Sequence, residues 1–391
     1  MSLKSLFSAK DMTGGAPWQR ILEFSIPMLL GNIAQQLYNT ADSVIVGIYV
    51  GDNALASVGS AMPILNLLLA LFVGISTGAG IVISQHFGAR DREGLSTAIG
   101  NCISLTALAT LLIMIVGPLI TRPFLELLGT PDSIIDWCTD YLKIYFYGIV
   151  GFFFYNMLSG ILRGLGDSFT ALMFLLVSAA LNVVLDLLFV AKFSMGVPGV
   201  ALATVIAQAI SAVLCYWKLM SMRDLFDLSL KTMRLIPAMA KRILKIGIPS
   251  GITQAIMATA GMVVQSLTNS MGETVIACNV IVMRVDGFAM LPNMTFGQAM
   301  SVYTGQNVGA GDTVTPMWIS IVSTIFLRVP TAYIMAALTK NEAYPNGQPI
   351  SIFTSLLVSW TLGMVISIIV FRIGKWKKKM LASAAEHGHV I

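Results

Sequence analysis

Asp42 lies deep inside a long apolar stretch, preceded by Asn32, Gln35, Gln36, Tyr38 and Asn39. Gln35, Tyr38, Asn39 and Asp42 fall at i, i+3, i+4 and i+7, so on a helix they form one continuous polar face. An ionised carboxylate at the centre of a bilayer costs about 2.5–3.5 kcal/mol even on the gentlest scale. That face must therefore line a cavity or meet another polar surface. Asn182 and Asp186, four residues apart in a second apolar stretch, supply one. Asn156 and Thr204 complete a set of oxygen ligands drawn from four helices. Two carboxylates in such a site titrate as a coupled pair. The chemistry fits a proton shared between Asp42 and Asp186, or a bare sodium ion held by Asp42, Asn182 and Asp186. Hydrogen bonding that merely holds helices together is the plainer alternative.

The second half of the chain has a different polar inventory. Gln254 stands without an embedded carboxylate beside it, and Arg284 and Asp286 are two residues apart, facing different sides of a helix. Asn293 and Gln298, with Gln35, Tyr38, Asn39, Gln254, Arg284 and Asp286, are candidates to line a substrate cavity. Arg328 before Val329-Pro330 marks a helix kink. No Ser-His-Asp set, HExxH or paired Asp-rich motif points to an enzyme. The Gly164-Leu165-Gly166-Asp167 turn lacks the Lys-Ser/Thr of a nucleotide-binding loop. Cys102, Cys138, Cys215 and Cys278 have no metal-type spacing, so no cofactor is expected beyond H+ or Na+ as a coupling ion.

The elements that hold these residues belong to a membrane. Mean hydropathy is +0.81, with 56% apolar and only 11% charged residues, against about 25% charged in soluble domains. Ten helices are predicted, near 18–49, 54–88, 94–121, 137–162, 168–191, 197–218, 240–270, 273–308, 313–338 and 348–372, with kinks at Pro27, Pro63, Pro249 and Pro292. Threading them with both termini inside places 18 of the 24 Lys and Arg residues on the cytoplasmic side. The net charge of +5 thus follows the membrane and is no nucleic-acid footprint. Residues 219–239 read as an amphipathic cytoplasmic connector and 374–391 as a basic cytoplasmic tail.

The chain also repeats itself. Arg20-Ile21-Leu22 through Pro27 recurs as Arg242-Ile243-Leu244 through Pro249, an offset of 222 (242 − 20). Ser84-Gln85-His86-Phe87-Gly88-Ala89 matches Gly305-Gln306-Asn307-Val308-Gly309-Ala310 at 221 (305 − 84). Gly166-Asp167-Ser168-Phe169-Thr170 then matches Gly311-Asp312-Thr313-Val314-Thr315 at only 145 (311 − 166). The second copy skips 76 residues (221 − 145), which is two membrane segments of the first. Losing a pair keeps every later helix in its orientation. The expected architecture is all-α and polytopic: an N-terminal lobe of six helices (1–218) and a truncated C-terminal lobe of four (240–373).

The Ile-Pro helix with Tyr38-Asn39-Thr40-Ala41-Asp42, the run Gly305-Gln306-Asn307-Val308-Gly309-Ala310-Gly311, and Arg284-Val285-Asp286-Gly287-Phe288 together resemble the multidrug and toxic compound extrusion (MATE) transporters. Arg163-Gly164-Leu165-Gly166-Asp167 and Asn182 with Asp186 fit the same family, in its DinF-like bacterial branch. The resemblance covers about Trp18 to Lys377. It implies two six-helix lobes about a two-fold axis along the membrane normal, a central cavity and export of amphipathic, cationic organic compounds in exchange for a cation. It implies a coupling site at Asp42, Asn156, Asn182, Asp186 and Thr204, and residence in the bacterial inner membrane. The departure is the ninth and tenth helices, which this chain lacks. Lipid or self-association is expected to cover the surface they leave. A flippase for lipid-linked sugars, or an inactive remnant left by the deletion, are the rival readings.

Overall fold

The computed structural model describes residues 11–14, 16–49, 52–127, 132–229, 232–269, 271, 273–308, 321–341 and 344–373. Within them the chain is helical, in the order α1 (Pro17–Tyr49), α2 (Asp52–Gly88), α3 (Arg92–Leu127), α4 (Asp132–Tyr147), α5 (Ile149–Gly164), α6 (Ser168–Asp186), α7 (Gly196–Met220), α8 (Pro237–Asn269), α9 (Glu273–Val308), α10 (Val329–Leu338) and α11 (Ile350–Ile373). Short π-helical segments follow α6 (Leu187–Lys192) and precede α10 (Ile321–Arg328). The join at Val308–Asp312, the start of the predicted 313–338 helix and the basic tail fall, wholly or in part, outside the described residues.

Five helical stretches among the described residues are long and apolar enough to cross a bilayer, and the bent pair α4–α5 is a sixth. The outer face of α3 shows why. Leu111, Leu112, Ile115 and Leu119 are each more than half exposed, a surface suited to lipid. α11 turns the soluble pattern inside out. Its Ser351, Ser355 and Ser359 stripe is buried, while Leu357 and Met364 face outward. Small residues let helices approach where burying apolar surface gives no advantage.

The predicted single helix over 137–162 is broken. α4 and α5 meet at Gly148 with a bend of 51°. Gly148 adopts φ −95°, ψ 5°, and its amide hydrogen bonds to Ile144 while Gly151 reaches back only to Gly148. No proline marks the break. The absent side chain makes room for Val205 of α7, whose Cγ1 would lie 2.2 Å from a Cβ at this position. By contrast, α1, α8 and α9 each continue as one helix through Pro27, Pro249 and Pro292.

The core of the first half gathers α2 through α7, including Leu142, Phe153, Met157, Leu158 and Ile161. The second half has a smaller cluster of Val264, Leu267, Ala332, Ala336 and Ile352. α2 is the spine between them. Gly74 and Gly78 of α2 lie against Gly251 and Gly247 of α8, so that a Cβ on Gly74 would sit 2.1 Å from the Gly251 nitrogen and one on Gly78 2.4 Å from that of Gly247. Each helix contributes a Gly-x-x-x-Gly pair, and the backbones touch. At the far end of α2, Ser84 meets Gly305 of α9. These are equivalent positions of the internal repeat, so the repeat axis runs between them.

The connector is strapped to α3. Phe226 is fully buried in the first-half core, Arg92 Nε donates to Asp227 Oδ2 at 3.0 Å, the Asp227 amide donates to Ser96 Oγ at 2.9 Å, and the Ile236 amide donates to Asn101 Oδ1 at 2.8 Å. The Arg92 guanidinium holds the Asp227 carboxyl below its ordinary value of 3.8. α6 begins with a full cap, in which Asp167 accepts from the Thr170 amide (3.0 Å) and hydroxyl (2.7 Å). The preceding Gly166 takes φ +85°, a turn conformation that a side chain would strain.

Gly74→Ala is expected to lower the thermal midpoint in detergent, since forcing a methyl into a backbone contact costs about 1–3 kcal/mol. Gly14→Ala, with nothing within 4 Å of the new carbon, should leave it unchanged. The Arg92–Asp227 strap should weaken on acidification. A lowered folded-state pKa contributes stability that is whole above 3.8 and lost as pH falls through the folded value. Hydrogen-exchange protection of the Asp227 amide, corrected for intrinsic rates, should fall below pH 3.8 in the parent and stay flat in Asp227→Asn.

Candidate functional site

α1 and α6 run parallel with a fixed register. Ser168 Oγ donates to the Phe24 carbonyl at 3.1 Å, a separation of 144 residues. Seven residues on, a Cβ on Gly31 would lie 3.6 Å from Leu172 and 3.7 Å from Leu175, offsets of 141 (172 − 31) and 144 (175 − 31). Carried up both helices, these offsets set Asp42 near the level of residues 183 to 186, the last turn of α6 (42 + 141 = 183, 42 + 144 = 186). The backbone of α1 at Asp42 is described, whereas the side chains of Tyr38, Asn39 and Asp42 lie outside the described residues. Equal rise per residue in two parallel helices is enough to bring the carboxyl-bearing positions near one depth.

At that depth α6 and α7 present a buried polar cluster. Asn182 and Asp186 are fully buried. With its amide turned to suit both neighbours, Asn182 donates from Nδ2 to Asp186 Oδ2 at 2.9 Å and accepts at Oδ1 from the Thr204 amide at 3.2 Å. Thr204 Oγ1 also donates to the Val200 carbonyl at 3.1 Å. Asp186 is the last α-helical residue before the Leu187–Lys192 π segment, where the backbone ladder shifts register. Asp186, Thr204 and Asn182 supply hard oxygen donors of the kind a sodium ion takes, and equally a carboxyl able to hold a proton.

The other predicted positions are distributed differently. Asn156 of α5 spends its side-chain amide on its own helix, donating from Nδ2 to the Phe152 carbonyl at 2.9 Å, while its backbone carbonyl accepts from Ser76 Oγ of α2 at 2.6 Å. Gln35 is half-buried on α1, and Gln254 on α8 is exposed. The side chains of Arg284, Asp286 and Asn293 lie outside the described residues. Gln298 lines a cavity of about 60 Å³ between the halves, together with Met28, Ser76, Thr77, Arg163 and Ser301. That space admits a few water molecules.

Three features escaped the sequence reading. Asn32 donates to Thr295 Oγ1 of α9 at 2.8 Å, so the polar stripe of α1 begins by facing the second half. The Arg163 guanidinium turns inward, donating to Ser159 Oγ at 2.7 Å and lining the cavity. At the end where the basic residues collect, Arg242 of α8 donates to Gln85 Oε1 of α2 at 2.6 Å and lies 3.4 Å from His86 Nε2, while His86 Nδ1 is 2.8 Å from Asp91 Oδ2. Only the match of Gln85-His86 to Gln306-Asn307 hinted that this end is built.

The MatE family profile matches residues 27–188, the span that contains α1, α5 and α6 with the Asn182–Asp186 pair. Probable multidrug resistance protein YpnP of Bacillus subtilis is 32% identical over 309 residues, covering 78% of this chain and 68% of that protein. The chain belongs to the MATE family. Probable multidrug resistance protein YoeA of the same organism is 30% identical, over 75% of this chain and 65% of its own length. Multidrug export protein MepA of Staphylococcus aureus is 25% identical, over 70% and 61%. The chain thus spans about two thirds or less of these relatives. Among solved structures, an outward-facing conformation of a multidrug resistance MATE family transporter of the MOP superfamily aligns with a TM-score of 0.84 at 22% identity, over 97% of this chain and 99% of that one. At that identity the likeness shows the fold alone. The all-α, polytopic, repeat-built architecture expected from the sequence is the MATE architecture, and the family is one of transporters rather than enzymes.

A double-mutant cycle tests whether this MATE cluster acts as a unit. Asn182→Leu should lower the thermal midpoint, because it strips a buried carboxyl of its donor at a cost of about 1–3 kcal/mol. Adding Asp186→Leu should cost less than the sum of the two single changes. Additive losses would mean that the two side chains do not interact.

Proposed function

We propose that this MATE chain is a proton- or sodium-coupled antiporter that exports amphipathic, cationic organic compounds by alternating access. The observation that carries the reading is the fully buried Asn182–Asp186 pair beside Thr204; the α1–α6 contacts, carried along both helices, bring Asp42 near its depth. Relatives named for multidrug resistance and multidrug export support the substrate class. The basic end faces the cytoplasm of a bacterium, both termini included. Residues 1–218 and 240–373 form the lobes, 219–239 the cytoplasmic connector and 374–391 the tail. Lipid, or a second copy of the chain, covers the face left by the missing helix pair.

An ionised Asp186 accepts from Asn182 Nδ2, and the Asn182 carbonyl accepts from the Thr204 amide, so the charge on α6 is tied through Asn182 to α7. Asp42 on α1 and Asn156 on α5 complete the coupling set. The ion favours one orientation of the lobes and the drug the other, which is the differential affinity that exchange requires. Gln35, Tyr38, Asn39, Gln254, Arg284, Asp286, Asn293 and Gln298 supply the polar contacts of the substrate path.

One observation favours a second reading. Arg163 lines the cavity between the halves, and a flippase for lipid-linked sugars would use such a cation for pyrophosphate. Efflux of a fluorescent organic cation from proteoliposomes under imposed proton or sodium gradients separates the readings. Gradient-driven efflux, reduced at least about tenfold by Asp42→Asn and by Asp186→Asn, is expected. Leakage that ignores both gradient and mutation would overturn the antiporter and favour the inactive remnant. Translocation of a pyrophosphate-linked lipid that Arg163→Gln abolishes would establish the flippase.

A further inference from the structure

The short segment before α1 crosses from one half of the molecule to the other. Met12 is 2% exposed, although it belongs to no helix. Its side chain is packed among Phe24 and Met28 of α1 and Ala299 and Val302 of α9, with Ile21 and Tyr303 at the rim. The backbone of the same residue is held from α9 on both sides. The Met12 amide donates to Gln306 Oε1 at 3.0 Å, and Asn307 Nδ2 donates to the Met12 carbonyl at 3.2 Å. Gln306 Nε2 goes on to the Gly164 carbonyl at the end of α5, at 3.3 Å.

The neighbours of Met12 shape the segment for this position. Asp11 accepts from the Thr13 amide at 2.9 Å and from the Thr13 hydroxyl, and Arg90 at the end of α2 lies 3.7 Å from its carboxylate. The Thr13 bonds, with Arg90 behind them, hold that carboxyl below the ordinary carboxylate range. Arg20 Nε donates to the Gly14 carbonyl at 3.0 Å and ties the segment back to α1. Val302 and its neighbour Ser301, with Gln298 one turn of α9 further in, line the cavity between the halves. Met12 therefore stands between that cavity and the basic end.

We propose that Asp11–Gly14 is a latch that holds the halves together at the basic end, with Met12 as its plug and Gln306 and Asn307 as its seat. Opening the cavity toward that end requires α1 and α9 to part, and they part only when Met12 leaves. The latch gives the closed state a bond that the internal repeat does not supply. It rests on the alternating-access reading for its purpose, but its geometry can be tested without transport.

Pulsed electron paramagnetic resonance between spin labels at Gln19→Cys on α1 and Met300→Cys on α9, both exposed, reads the opening directly. The background carries serine at Cys102, Cys138, Cys215 and Cys278. In the parent a single short distance is expected. Met12→Asp, and separately deletion of residues 2–13, should each raise the ratio of long to short distances at least about tenfold, the weight of one buried methionine. Met12→Leu, which refills the same space, should keep the parent distribution. A distribution unchanged by both Met12→Asp and the deletion would overturn the latch, as would an equal opening in Met12→Leu. Should the distances respond while proteoliposomes show no gradient-driven efflux, the latch stands and the antiporter reading falls.

Discussion

Everything in this molecule is arranged around one approach of backbone to backbone. Gly74 and Gly78 of α2 lie directly on Gly251 and Gly247 of α8, with no side chain between them. In a membrane, packing two apolar surfaces together gains little over leaving each in lipid, so the contact must come from shape. Four glycines provide it. The crossing fixes where the second half sits on the first, and so where α9 meets α1 and α2 and where the cavity lies. At the basic end the repeat-equivalent Ser84 and Gly305 touch, and around that point gather Arg242 on Gln85, Gln306 on Gly164, and Met12 on Gln306.

The second constraint is the cost of charge in hydrocarbon. Asp186 meets it by lying fully buried beside Asn182, at a point where α6 gives way to a π segment. Asp167 meets it at the membrane edge by capping α6 and facing Lys218 at 3.7 Å. Arg163 meets it with Ser159 and a wet cavity wall. Each polar group has a local reason, and the reasons differ. Depth in the bundle separates the two acids: Asp186 lies at the far end of α6, whereas Asp167 caps its start at the basic end.

The halves differ in the cores that they enclose. The first half encloses a broad core from α2 to α7, to which the connector adds Phe226. Among the described residues the second half shows a smaller cluster, against which α11 sets Ile352 beside its buried serines. The halves are joined by the glycine crossing, by Asn32 on Thr295 and by the Met12 segment.

Much of this was legible in the residues alone. Hydropathy gave the membrane helices, and the repeat gave the equivalence of α1 with α8 and α2 with α9. The four-residue spacing of Asn182 and Asp186 announced one polar face, because side chains at i and i+4 on a helix stack whatever surrounds them. Local periodicity and transfer cost act on each segment separately, so one sequence suffices to read them. Pairing between segments does not work that way. The break at Gly148 depends on Val205 from another helix, the depth of Asp42 on the register with α6, the inward turn of Arg163 on Ser159 and the cavity, and the burial of Met12 on a groove formed by α1 and α9. Only the tertiary structure decided these, because each is set by the close fit of surfaces distant in the chain.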